Sequence, residues 1–322
     1  MIGVDYMALP KPKSRREMYL AKIAGENVNT PSGKTREEKY LEHIAENGGV
    51  VHQIKDADAR EAAEMLFQKN DALYKGRDLT KVFVAEITNF ANEWEWIKNR
   101  IYNANYIGIH VGDYIPLTIN GETHEIQIAG IDTYTKTTDY NIGHHIDFIS
   151  RDCYGPTVQW NVENNNNGNA ESPYPYLVSN VHTFLETLYE TLPAAVKNVI
   201  SNKRFLLDQR YSAEGVLTDS TSWGWVDMGK LWIPTEYEVF GSVIWATKGF
   251  GQGQAVQYPI FANNWNNRIK GAGPNGGRCA WWLASVKSGD SMNACNVSSS
   301  GTAGHWIASD AYRVPVCFRI TA

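Results

Sequence analysis

His144, His145 and Asp147 come nearest to a reactive group in this chain. In the run GHHIDFI, residues 143 to 149, His145 and Asp147 are two apart. On a strand they therefore share a face, where an imidazole and a carboxylate can hold a metal ion or pass a proton. No third ligand or acid–base partner can be located from sequence, and the pattern favours a structural, hydrogen-bonded histidine with no metal and no cofactor. Cys153, Cys279, Cys295 and Cys317 make no CxxC and stand at no Cys/His spacing that suits zinc. Burial as free thiols is expected, because cysteine is among the most buried residue types. Residues 249 to 253 (GFGQG) and 271 to 277 (GAGPNGG) lack the Lys-Ser/Thr ending and the flanking strand and helix of a phosphate loop, so ordered turns are expected. No serine sits in GxSxG. Asn296-Val297-Ser298 matches a glycosylation sequon, which reads as accidental in a chain with no visible secretory signal. The expectation is of no catalytic residue and of a protein that is not an enzyme.

Residues 278 to 322 carry a different pattern, RCAWWLASVKSGDSMNACNVSSSGTAGHWIASDAYRVPVCFRITA. Trp281, Trp282 and Leu283 open it, and Val314, Val316, Phe318 and Ile320 close it with strand alternation, so these residues are predicted to form a core frame. Between them lie Ser, Asn, Gly, Ala, His and Trp in no amphipathic order, a composition that suits recognition better than chemistry. If Cys295 and Val297 point inward, Ala294, Asn296 and Ser298 point outward. With the polar loop over residues 301 to 312, the predicted ligand-binding set becomes Asn293, Asn296, Ser298, Ser299, His305, Trp306, Ser309, Asp310 and Tyr312. These are adaptable polar groups around aromatic anchors, the chemistry of antibody-like paratopes. Trp306, flanked by Gly304 and Ala308, has two readings: an exposed contact or a ring folded back into the core.

The elements that position these residues follow from charge and period. The chain has 322 residues, 43% of them hydrophobic, with a net charge of −5, enough for a real core and too mild to mark a nucleic-acid or membrane surface. Its first hundred residues carry sixteen basic and sixteen acidic side chains, whereas eight of the eleven Trp lie from Trp223 onward. A helical N-terminal region should therefore precede an aromatic, charge-poor domain of short strands and long ordered loops. Residues 14 to 49 hold a repeat with a period of 21, each unit opening on a Ser/Thr-x-x-Glu capping box and continuing as a narrow apolar stripe. Such short helices are marginal alone, so Tyr19, Leu20, Ile23, Tyr40, Leu41 and Ile44 are the expected docking or oligomerisation residues, the alternative being a hairpin packed on its own domain. Residues 55 to 75 and 87 to 101 read as helix, the latter with Trp94 and Trp96. Strands begin near Tyr106, with a hairpin turn at Asn120-Gly121. Residues 164 to 169 read as a surface loop, residues 177 to 200 as a helix broken by Pro193, and KRFLL as a short buried strand. The expected division is a helical repeat over 1–50, a helical connector over 51–105 and a ligand-binding domain over 106–322. No apolar stretch reaches the length of about 18 residues that spans a bilayer.

Two resemblances give these expectations a direction. The run LWIPTEYEVF, residues 231 to 240, is similar to the "LPTEAEWEYA" helix of C-type-lectin folds of the formylglycine-generating-enzyme kind, and Arg278 to Trp282 with the later RVPVCFRI resembles their "RGGSW…GFR" close. The same frame resembles the ligand-binding domains of phage tropism proteins diversified by retroelements. The PxSRxExYLxxIA units resemble N-terminal segments of head-fibre and tail proteins of phages of gut Firmicutes. Together they imply an α+β fold: a helical N-terminal region, then a C-type-lectin-like domain of short strands, two or more helices and long loops. They also imply a virion attachment or decoration protein, made in the host cytoplasm, that binds a host-surface protein or glycan. Its other expected partners are virion proteins and copies of itself, a trimer being favoured, with no nucleic acid and no membrane insertion. The alternatives are a formylglycine-generating-type enzyme and a purely structural virion protein. Against the enzyme, Cys295 and Cys317 lie 22 apart, where that family carries a closely spaced reactive pair. Calcium binding is disfavoured because no Glu follows Glu238.

Overall fold

Three helices precede the sheet: α1 (Leu79–Val82), α2 (Val84–Ile87) and α3 (Glu93–Tyr102). Asn92 caps α3, its side chain accepting from the amides of Trp94 and Glu95 at 3.0 Å each, and the helix buries Trp94, Trp96, Ile97 and Ile101. The computed structural model describes residues 76–137, 139–211, 222–249, 251 and 254–322. The chain divides into two compact units, Met1–Leu73 and Tyr74–Ala322, and the described residues belong to the second. The change of period near residue 105 is thus a change of element type inside that unit, and the boundary between units falls within the span 51–105. The N-terminal repeat with Tyr19, Leu20, Ile23, Tyr40, Leu41 and Ile44, and the helix expected over 55–75, lie outside the described residues.

Asn120 and Gly121 take positive φ, 49° and 89°, as a type I′ turn requires, and join β1 (Tyr114–Ile119) to β2 (Glu122–Ile131) in antiparallel register. The chain continues through β3 (His145–Gln159), α4 (Asn180–Thr191), α5 (Ala194–Lys197), β4 (Ile200–Ser201), β5 (Arg204–Asp208) and β6 (Trp223–Asp227). Helices α6 (Glu236–Phe240) and α7 (Pro259–Asn263) follow, then β7 (Lys270–Gly271), β8 (Arg278–Cys279), β9 (Trp281–Val286), β10 (Asn293–Val297), β11 (Ala303–Ile307) and β12 (Ala311–Thr321). The result is a mixed α+β fold around an eight-stranded sheet of order β1-β2-β3-β12-β9-β10-β11, with β4 added beside β12. The β12–β9 contact is parallel and the other pairings in the sheet are antiparallel.

The terminal strand sits at the centre of this sheet and is buried on both faces from Val314 to Ile320. Trp281, Trp282, Val314, Val316, Phe318 and Ile320 are all fully buried, as the sequence predicts. Phe318 stacks on Phe148 at 5.2 Å between ring centres, and Trp94 of α3 meets both rings edge-on. Two buried indoles link the end of β3 to β9: Trp160 donates to Leu283 O and Trp282 to Val158 O, both at 2.9 Å.

A buried polar network fixes α6 against the sheet. Thr235 and Glu238 form a capping box, and Glu238 also accepts from Tyr134 Oη at 2.7 Å and from Lys203 Nζ. Lys203 donates to Tyr258 Oη at 3.0 Å and lies 3.7 Å over the Trp232 ring. Tyr258 donates to Asp147, whose carboxylate receives a two-point contact from Arg319 at 2.7 and 2.8 Å. Burial pulls the Lys203 ammonium below its ordinary range in spite of Glu238. Burial alone would raise Asp147, but Arg319 outweighs it and holds that carboxyl low.

Candidate ligand-binding surface

Strand β11 lies at the edge of the sheet, with β10 as its partner, and it carries His305 and Trp306 on opposite faces. On one face His305 meets Trp245 edge-on at 4.6 Å between ring centres. On the other, Trp306 meets Tyr312 at 6.2 Å, and Tyr312 in turn meets the buried Trp282 at 4.9 Å. An exposed indole is thereby tied through one intermediate ring to the core. Trp306 is 52% exposed, Trp245 39% and Ile244 51%, with Met292 and Ile307 also open to solvent.

The loop bearing Trp245 is held by a buried carboxylate. Glu236 accepts the amides of Ile244, Trp245 and Ala246 at 2.9 to 3.1 Å, while its own amide donates to Ser285 Oγ on β9 at 2.9 Å. Trp245 completes the link by donating its indole N–H to Ala303 O at 3.3 Å and accepting Ser288 N at 2.9 Å. Burial raises the Glu236 pKa against the pull of those three amides. Burial likewise lowers His305, whose Nδ1 has no hydrogen-bond partner among the described residues, so the imidazole is neutral near pH 7. The surface offers flat apolar rings and one neutral imidazole, groups that bind by stacking and hydrogen bonding.

Of the nine sequence-predicted residues, Trp306 and Ser299 are exposed, and His305, Tyr312, Ser309 and Asp310 are partly exposed. Asn293 and Ser298 shape the turns beside β10: Asn293 Nδ2 donates to Asp290 at 2.7 Å, and Ser298 Oγ pairs with Thr302 Oγ1 at 2.7 Å. Asn296 corrects the outward assignment, being only 3% exposed. The reason lies in the register. Asn296 stands opposite Gly304 on β11, and its amide fills the space that a side chain there would need: a Cβ on Gly304 would fall 2.4 Å from Asn296 Oδ1. Ala294 is buried beside it, so β10 is covered on both faces. Ile244, Trp245 and Met292 were not among the sequence-predicted residues. Trp245 lies far from β11 in sequence, and the concentration of Trp after residue 223 was its one available signal.

His145, the strongest chemical candidate, is fully buried with both ring nitrogens engaged: Nε2 receives the Tyr134 amide at 3.1 Å and Nδ1 faces Gly143 O at 3.1 Å. Its neighbour Asp147 is committed to Arg319 and Tyr258. The pair is structural, and among the described residues no group of three His, Cys, Asp or Glu side chains could hold a metal ion. Near β1, β2 and β3 lies a polar groove of about 500 Å³ lined by Asp78, Lys81, Tyr114, Glu125, Arg151 and Asp152. Lys81 pairs with Asp78 at 3.0 Å, Arg151 pairs with Glu125, and Asp152 accepts the Gly271 amide at 2.8 Å, which is how a solvated sheet face looks.

Residues 148–322, just over half of the chain, match the family model described as a domain of unknown function, DUF6273. The chain belongs to the DUF6273 family. No curated protein and no solved structure matches it. The DUF6273 region starts on β3 and takes in α6, the Trp245 loop and β9 to β12, so every residue of the aromatic edge lies inside it. Of the groove, Asp78, Lys81, Tyr114 and Glu125 precede the DUF6273 match.

Proposed function

We propose that this DUF6273 protein is a recognition protein, and that Trp245, His305, Trp306 and Tyr312 form the centre of its ligand-binding surface. The observation that carries the reading is the way these rings are held open to solvent. Trp306 is braced through Tyr312 on a buried Trp, and Trp245 is fixed by the buried Glu236, so neither ring has to be ordered at the moment of binding. The finer reading is a C-type-lectin-like domain. Its support is the buried RVPVCFRI strand at the sheet centre, the TEYEVF helix docked on β9, and the short helices and two-residue strands among the described residues between β6 and β9.

The biological setting follows from the N-terminal repeat, whose likeness to phage head-fibre and tail segments supports an attachment or decoration protein of a virion. In that setting Met1–Leu73 docks the chain to the particle or to sister copies, and the aromatic edge meets a protein or glycan on the host surface. An oxidising enzyme of the formylglycine-generating kind has less support, because Cys295 and Cys317 are buried and burial pushes both thiols up, away from a reactive thiolate. The test is saturable binding of the fluorescently labelled full chain to envelope fragments from a panel of Firmicutes strains. Binding to at least one strain, weakened at least about tenfold by Trp306→Ala, is the expected result for a central aromatic contact. No binding to any strain, or equal binding by Trp306→Ala, contradicts the proposal.

A further inference from the structure

The thiols of Cys153 and Cys279, which the aromatic edge does not use, lie close enough to act on each other. Cys153 lies fully buried on β3, and Cys279 ends the two-residue strand β8, partly open to solvent. Backbone pairing brings these distant segments together. Cys153 bridges Ala272 and accepts the Gly273 amide at 3.1 Å, while Cys279 pairs across the β7–β8 ladder with Lys270. The Lys270 ammonium is buried beside them, donating to Ser150 O at 2.6 Å and Arg151 O at 3.0 Å, and it acts electrostatically on both thiols.

The two sulfurs are unequal. The neighbouring Cys153 thiol draws the Cys279 thiol below its ordinary pKa against the effect of burial, with Arg313 and Lys270 adding to it and Asp152 opposing. Burial pushes Cys153 well up. An accessible thiol of lowered pKa beside a buried, less acidic one is the arrangement of an attacking and a resolving cysteine. Cys295 and Cys317 are buried thiols pushed up by burial and serve as internal comparisons.

We propose that Cys279 is a thiol-modification site that reacts with low-molecular-weight disulfides such as oxidised glutathione and passes the bond to Cys153, closing a Cys153–Cys279 disulfide. In the first step the Cys279 thiolate, its proton lost to solvent, attacks one sulfur of the glutathione disulfide. An S–S bond forms to Cys279, the glutathione S–S bond breaks, and one glutathione thiolate leaves. Cys153 then loses its proton and attacks Cys279 Sγ, expelling the second glutathione thiolate. Two electrons pass from the protein thiols to the oxidant, and the two released protons are taken up by the two glutathione thiolates. The product ties the β7–β8 hairpin, which leads directly into β9, to β3. This chemistry stands apart from the recognition reading and holds whether or not the aromatic edge binds a ligand.

The full chain incubated with oxidised glutathione, acid-quenched, alkylated and mapped by mass spectrometry tests it. The expected map shows a Cys153–Cys279 cross-link with Cys295 and Cys317 still alkylated, and an upward shift of the melting temperature that dithiothreitol reverses. Cys153→Ser is expected to stop at a stable glutathione adduct on Cys279, and Cys279→Ser to leave Cys153 free. The proposal is overturned if the wild-type chain keeps four alkylated cysteines under oxidation, or if Cys295 or Cys317 reacts as readily as Cys279. Should either Ser variant fail to fold by circular dichroism, the wild-type map decides alone.

Discussion

Asp208 shows how much one buried carboxyl can do to the pH behaviour of this fold. Burial raises its pKa to about 6 in spite of Arg210, and its Oδ2 has no hydrogen-bond partner among the described residues. The folded value lies above the unfolded one of about 3.9, so the native state holds this proton more tightly. Above about pH 6 the ionised group destabilises the fold by about 2–3 kcal/mol, and that cost disappears as the pH falls from about 6 to about 4. The buried His145 and His182 act in the opposite sense. Burial lowers both, so their contribution is lost as pH falls through the unfolded histidine value of about 6.5. Comparing Asp208→Asn with wild type isolates the carboxyl. The stability advantage of the variant in urea denaturation should grow by about 2–3 kcal/mol between pH 4 and pH 7.5, and a constant difference would refute the assignment. At the Asp147–Arg319 pair the expected effect is larger: Arg319→Met leaves a buried carboxylate unpaired and should cost about 3–5 kcal/mol at pH 7 by the same measurement. Sequence reached the residue scale unevenly. It gave His145 a structural role and placed Trp281, Trp282 and Phe318 in the core, yet it assigned Asn296 outward, because alternation predicts a side and says nothing about whether that side is covered.

At the scale of elements, legibility follows how local the governing interaction is. The β1–β2 hairpin needs only Asn120-Gly121, and the break between α4 and α5 needs only Pro193, so both can be read directly. The Trp245 loop could not be read, because what holds it is a carboxylate on α6 and a carbonyl on β11, contacts that exist only after the chain has folded. Its dependence on Glu236 is testable. Glu236→Gln keeps the shape but replaces one acceptor oxygen with a donor facing the loop amides. Hydrogen exchange at residues 244 to 246 should accelerate at least about tenfold, about 1.4 kcal/mol of local stability, while exchange in β12 changes far less. Equal exchange in variant and wild type would show that the loop is held by other contacts.

For the whole molecule, the sequence anticipated an α+β chain with a charge-rich beginning and an aromatic end, and it placed the change of period near residue 105. The compact unit begins earlier, at Tyr74, because the aromatic face of α3 is part of the sheet's own core. A chain starting at Tyr74 should therefore unfold cooperatively in urea with the core strands protected from exchange, whereas one starting at 106 should not, since it lacks Trp94 and Trp96. The central claim, that the β11 edge is a preformed recognition surface, is tested most directly by the double variant Trp245→Ala, Trp306→Ala in the full chain, with envelope binding and thermal unfolding measured on the same preparations. Both rings are partly exposed and each truncation should cost about 1 kcal/mol or less in stability. The account predicts a melting temperature within a few degrees of wild type, together with loss of the saturable binding that wild type shows. Wild-type binding retained by a folded double variant would contradict it.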